Sequence, residues 1–165
     1  MKITLRKDPD PQTEFYYHQQ FEIYHKSYLI WDRETWEAVL TTCAVYQIDV
    51  NGVNAGDVIL EEKEKEVFTI VDFGLLPEFQ GKGVGRAVLN EVMKIGRNLV
   101  AVTREETLPF FLKCGFVLKR RMRDYYDRGI EGYLVVWADR DGNEDSERGT
   151  RTQARPRSNA KGKKM

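Results

Sequence analysis

A mixed α/β sheet with helices on both faces is the fold class this sequence predicts, and three adjoining features carry the prediction. The segment "EVFTIVDFGLL", residues 66–76, has the strongest strand pattern in the chain. A glycine stretch and a helix with one apolar face follow it directly, and "NLVAVT", residues 98–103, is a near-continuous apolar run. Strand, tight connection, helix and a second strand apolar on both faces form the unit from which such sheets are built.

The remaining elements fall in order around that unit. Ile3 and Leu5 alternate with polar neighbours, which predicts a short first strand. After two Asp-Pro pairs, the aromatic segment 12–27 (Phe15, Tyr16, Phe21, Tyr24) predicts a helix. Asp32 is placed to cap a second helix over 33–41, with Trp36, Val39 and Leu40 on one side. "CAVYQIDV" and "GDVILEE", on either side of Asn51-Gly52, predict an antiparallel hairpin. Val84, Val88, Val92 and Ile95 share one helical face over 84–95, and Gly96 can end that helix. Thr107 is a candidate cap for a short helix with Pro109 in its first turn and Gly115 just past its end. Residues 116–123 and 131–137 then predict a last hairpin joined around Asp127-Arg128-Gly129. The sum is six to seven strands and about four helices.

Composition bounds the function. With 165 residues and 41% hydrophobic content, the chain can fill one core. No stretch approaches the roughly 20 apolar residues of a membrane span, and "MKITLRKDPD" does not resemble a signal peptide, so a cytoplasmic protein is expected. Cys43 and Cys114 lack metal-type spacing and are expected as free thiols; His18 and His25 imply no metal site. Net charge is zero, yet residues 148–165 carry seven basic side chains and no acid, leaving 19 basic against 26 acidic over 1–147. A globular domain over 1–140 and a disordered basic tail over 141–165 follow, the tail lacking apolar surface to offset its ordering entropy. No base-reading motif accompanies the tail, so nucleic-acid contact is expected to be weak at most. A monomer or homodimer is equally compatible with this composition.

The stretch "PEFQGKGVGR", residues 77–86, places Gly81, Gly83 and Gly85 between a strand and a helix. That geometry gathers unpaired N–H groups and the positive end of a helix dipole, which together suit an anion. A dinucleotide fingerprint needs G-x-G-x-x-G and a Walker loop needs Gly-Lys-Ser/Thr; here the third glycine comes too early and Lys82 precedes Gly83.

Gln80-x-x-Gly83-x-Gly85 resembles the Gln/Arg-x-x-Gly-x-Gly/Ala signature of the GNAT superfamily, the acyl-coenzyme A-dependent N-acyltransferases, and "TLPFFLKCGF" resembles that family's later "A-x-x-F-Y-E-K-x-G-F" segment. The resemblance runs over about residues 43–137. It implies a sheet splayed at the cofactor site and acetyl-CoA as co-substrate. It also implies transfer of acetyl to a primary amine, a protein N-terminus or a small amine, by direct attack in a ternary complex. By the same resemblance the backbone of Phe73, Gly74 and Leu75 faces the pantetheine arm and thioester. The pyrophosphate falls to Gln80, Gly81, Lys82, Gly83, Val84, Gly85 and Arg86, and Arg104 and Phe111 complete the cofactor set.

The departures from the family concern proton transfer. Many relatives carry a tyrosine general acid where this chain has Phe111, and the family's usual base positions hold Thr69 and Leu99 here. Asp72, a carboxylate in an apolar run, should be paired or lie in the cleft, and is a candidate catalytic group. Tyr125 and Tyr126, read at the start of the last hairpin's loop, are the candidates for acid or substrate gate. A lysine acceptor with pKa ~10.4 costs about 4–5 kcal/mol to deprotonate at pH 7, against about 1–1.4 for an α-amine near ~7.7–8.0, so weak base machinery leans toward the α-amine. Asp32, Glu34, Glu37, Glu61 and Glu62 would instead suit a polyamine. The alternative to an enzyme is an acyl-CoA-binding sensor or scaffold of this fold that does no chemistry.

Overall fold

The computed structural model describes residues 1–140; the expected tail over 141–165 lies outside the described residues. The chain order is β1 (Ile3–Lys7), α1 (Thr13–Ile23), α2 (Arg33–Thr42), β2 (Ala44–Val50), β3 (Val53–Glu64), β4 (Val67–Leu75), α3 (Val84–Val92), β5 (Asn98–Thr103), α4 (Leu108–Lys113), β6 (Val117–Asp127) and β7 (Ile130–Ala138). Short 3-10 turns cover Ser27–Leu29 and Pro77–Phe79. The strands form one sheet in the order β1-β2-β3-β4-β5-β7-β6. Every pairing is antiparallel except β4 with β5. The predicted mixed sheet with helices on both faces is the fold observed.

Alternation along β3 shows how the sheet divides the core. Val58 and Leu60 pack with the α3 residues Val84, Val88, Leu89 and Val92. Ile59, between them, packs on the other face with Trp31 and the helix residues Tyr16, Trp36 and Val39. β5 is buried along its whole length, in keeping with its unbroken apolar sequence. A second cluster on the α1 face gathers Tyr24 and Leu29 over Val100, Val102 and Tyr126.

The pairing of β4 with β5 covers only Val67↔Asn98, Phe68↔Leu99 and Thr69↔Val100. Beyond Thr69, β4 keeps its ladder to β3 as far as Leu75, and β5 keeps its ladder to β7 as far as Thr103. The two strands therefore part, and the expected splay is present.

Three expectations need correction. The first helix stops at Ile23 rather than running to 27, because Tyr24 turns extended and drops its side chain onto β4. Thr107 makes no capping bond; its hydroxyl meets those of Thr103 and the Arg104 carbonyl instead. The last hairpin turns tightly at Arg128-Gly129, since Asp127 pairs with Ile130. Tyr125 and Tyr126 thus lie within β6, after an irregularity at Asp124 (φ +51°), and not in a loop.

Three tyrosines, Tyr16, Tyr24 and Tyr126, are almost wholly buried, and burial is the leading cause that raises the pKa of each. A raised acid pKa favours the neutral form in the folded state, so this stability is fully present below the unfolded value near ~10 and is lost as pH rises beyond it. Each such group steepens the alkaline loss by up to about 1.4 kcal/mol per pH unit. Denaturant unfolding followed from about pH 9 to 11.5 should show Tyr126→Phe losing stability less steeply than the parent above pH ~10. Parallel curves for the two proteins would refute this.

Candidate active site

The parting of β4 from β5 opens a cavity of about 610 Å³. One wall is the β4 segment Phe73–Leu75; a second is the loop from Gln80 to Arg86. Arg104, Thr107, Phe110 and Phe111 close the α4 side, and the end of α1 at Ile23 with Tyr24, His25, Lys26 and Leu29 after it closes the remaining side. Among the described residues, His25, Lys26, Arg86 and Arg104 are the basic side chains on these walls, and no carboxylate lines them. The electrostatic character is that of an anion site with an apolar middle.

The loop is built for backbone donation. Gly81 (φ +72°) and Gly83 (φ +82°) adopt a conformation that L side chains rarely take, and a Cβ at either would meet nothing within 4 Å. Conformation, not crowding, requires glycine there. Gly83 is the N-cap of α3, and among the described residues no side chain caps the first-turn N–H groups, which as in any helix have no intrahelical acceptor. The Gln80 side-chain amide donates to the Leu75 carbonyl at 2.8 Å, tying the loop to the end of β4. Lys82 is exposed and outside the cavity wall, and Val84 turns its side chain into the core.

The α4 side is mainly hydrocarbon. Phe111 packs edge-on against Phe110 and Phe116 at ring separations of 5.3 and 5.2 Å. Arg104 supplies the charge there; its Nε has no acceptor among the described residues, and its Nη1 lies 3.5 Å from Glu106. Burial pushes the Cys114 thiol pKa up, which disfavours a thiolate nucleophile. His18 is exposed beside Glu14. Both cysteines are free, no metal-type cluster exists and no helix is long and apolar enough to cross a membrane, all among the described residues.

The three catalytic candidates do not line the cavity. Tyr126 is 1% exposed and donates its hydroxyl to the Val102 carbonyl at 3.0 Å, while Tyr125 packs edge-on against it. Neither is placed to protonate a thiolate in the cavity. Asp72 is fully buried and accepts a hydrogen bond from Tyr24 at 2.9 Å. Tyr24 does line the cavity, and sequence reading missed it because it stands in what reads as a continuous aromatic helix. The signal that could have found it is the lone carboxylate of Asp72, which calls for a donor.

The sequence profile described as the acetyltransferase (GNAT) family matches residues 3–116. The chain belongs to the GNAT acetyltransferase family. It is an acyltransferase by that membership, and the sheet, the splay and the glycine loop agree with it. The fold matches that of the ribosomal-protein-S18-alanine N-acetyltransferase from Escherichia coli, with TM-score 0.71 and 17% identity over 84% of this chain and 94% of that one. A GNAT acetyltransferase from Elizabethkingia anophelis, solved with acetyl-CoA bound, matches with TM-score 0.64 and 17% identity, covering 82% and 97% of the two chains. A variant of the spermidine N-acetyltransferase SpeG from Vibrio cholerae matches with TM-score 0.66 and 15% identity, covering 87% and 97%. No curated protein sequence matches the chain.

Tyr126→Phe should leave acetyl transfer about unchanged while lowering stability by about 1–2 kcal/mol, the cost of a buried carbonyl left without its donor. Paired turnover and denaturation measurements check this. A loss of turnover larger than the loss of folded protein would restore Tyr126 to the chemistry.

Proposed function

We propose that this GNAT acetyltransferase moves acetyl from acetyl-CoA to a primary amine by direct attack in a ternary complex. The observation that carries the reading is the cavity at the strand splay, bounded at one end by the glycine loop and along one side by the free edge of β4. The residues present fit the coenzyme. First-turn N–H groups of α3, with Arg86 and Arg104, offer fixed positive potential to phosphates. The edge of β4 at Phe73–Leu75 offers backbone donors and acceptors to the amides of an extended pantetheine chain. Fixed N–H groups there also suit the oxyanion that forms when an amine attacks a thioester, because they need no reorganisation.

The acceptor best supported is an α-amine at a protein N-terminus; a small amine of low charge is the second choice. Among the described residues the cavity walls carry cations and no carboxylate, which disfavours a polyamine. The acids that would have welcomed one do not line it: Asp32 caps α2 through the Thr35 N–H, and Glu34, Glu37, Glu61 and Glu62 also lie outside. An α-amine, with pKa near ~7.7–8.0, in addition loses its proton at modest cost near neutral pH. Among its fold relatives, one is named for an alanine of ribosomal protein S18 and one for spermidine. The cavity charge separates these two precedents and favours the first kind.

Two measurements test the reading. Gly83→Asp puts a carboxylate at the N-terminus of α3, and should weaken acetyl-CoA binding about 10- to 100-fold by calorimetry, equivalent to roughly 1.5–3 kcal/mol of lost charge-assisted hydrogen bonding. Equal affinity would mean that the loop does not hold the coenzyme. Thiol release from acetyl-CoA, measured over a panel of peptides with free N-termini, lysine side chains and polyamines, should be fastest with the peptides. Tight binding of acetyl-CoA with no release to any amine would overturn the transfer reading.

A further inference from the structure

Behind the cavity wall at Gly74 the structure holds a group of buried polar side chains that the cofactor site does not use. Asp72 is fully buried in β4, and its Oδ2 has no partner among the described residues. Its Oδ1 accepts from the Tyr24 hydroxyl at 2.9 Å, and the same hydroxyl lies 3.2 Å from the Phe73 carbonyl. Asp57 is 2% exposed on β3 and pairs across the sheet with Gly74. Residues opposite one another, and residues two apart along a strand, share a face. Asp57 and Asp72 therefore both stand on the α1 face, beneath Tyr24.

An incompletely paired carboxylate in such a place is expensive. Tyr24 is what separates it from the cavity. Gly74 keeps that separation thin, because a Cβ there would come within 2.9 Å of the Tyr24 oxygen. The groups that act on Tyr24 electrostatically are Asp72 and Asp57 from the sheet and Arg104 from the end of β5. Burial, followed by the two carboxylates, raises its pKa, so the hydroxyl stays protonated and able to donate.

We propose that Tyr24 is a catalytic residue that takes the proton released by the acceptor amine, and that Asp72 acts through it by receiving the tyrosine's own proton. The inference rests on the amine-acceptor reading above. As the amine nitrogen bonds to the thioester carbonyl carbon, one N–H proton passes to Tyr24 Oη while the Tyr24 proton passes to Asp72. The carbon–sulfur bond then breaks and coenzyme A departs as thiolate. Asp72 returns its proton through Tyr24, to that thiolate or to solvent, so protons and electron pairs balance with no further reactant.

Tyr24→Phe keeps the ring and removes the proton path; Asp72→Asn keeps the shape and removes the proton acceptor. With the best amine of the panel, each should lose about 10²- to 10⁴-fold in turnover, while calorimetric affinity for acetyl-CoA stays as in the parent. The double variant should lose no more than either alone, as expected of groups that act as a unit. At fixed pH, added general-base buffer should raise the rate in either variant and leave the parent unchanged, because only the variants lack an internal proton acceptor. If the pair only braces β4, acetyl-CoA affinity or melting temperature falls with turnover and added base restores nothing, and the proposal fails. Full turnover in Asp72→Asn also overturns it. If the parent itself releases thiol to no amine, the amine-acceptor reading fails first and takes this inference with it; a working parent with indifferent variants sinks the inference alone.

Discussion

The parting of β4 from β5 after Thr69↔Val100 is the constraint on which the rest of the molecule depends. Backbone N–H and C=O groups resist burial without partners, so two adjacent strands can separate only if each is held by its other neighbour and the gap is polar or filled. β4 meets the first condition through its ladder to β3, and β5 through its ladder to β7. The ladder-free edges then face a cavity whose ends are a glycine loop and the chain after α1. An extended amide-bearing ligand can pair with such an edge. Fold and ligand class are thus linked by the same ladder-free strand edge.

Charge is distributed across that sheet in a consistent way. Cations line the cavity, and Asp57 and Asp72 stand behind it, covered by Tyr24 and the strand itself. In the proposed site a carboxylate on the cavity wall would repel the phosphates offered to Arg86 and Arg104. Placing the proton acceptor one residue deeper avoids that conflict, at the expense of a buried charge. The tyrosine between them conducts a proton without carrying negative charge into the cavity.

Most of this architecture was legible in the sequence, for identifiable reasons. The strand-loop-helix unit reads clearly because Gly81 and Gly83 need backbone angles no other residue tolerates well, and because β5 is apolar on both faces. An anion-suited loop followed from that unit by local pattern, and the coenzyme assigned to it came from the resemblance to the GNAT signature. Tyr24 was hidden because its role depends on a partner 48 residues away; no local periodicity reports a helix that ends so that one side chain can reach another strand. Tyr125 and Tyr126 misled for the opposite reason. Read in series they look like loop residues, whereas an irregularity at Asp124 keeps them within the strand and commits the Tyr126 hydroxyl to Val102.

The hydrocarbon wall at Phe111 becomes intelligible once the two proton transfers are weighed separately. A thiol with pKa ~8.5 is a good leaving group, and departing as thiolate near pH 7 forgoes only about 2 kcal/mol relative to immediate protonation. An acid beside the sulfur is worth little more than that. The amine side is more demanding, because attack places positive charge on nitrogen and the adduct must lose a proton before it can collapse forward rather than back. A chain that handles one proton well is better served by handling that one. The edge-to-face packing of Phe110, Phe111 and Phe116 then has a separate value: it packs α4 against the core. A hydrocarbon wall of this kind would leave a bound thioester little contact with water, and the N–H groups of β4 would then act more strongly on an oxyanion.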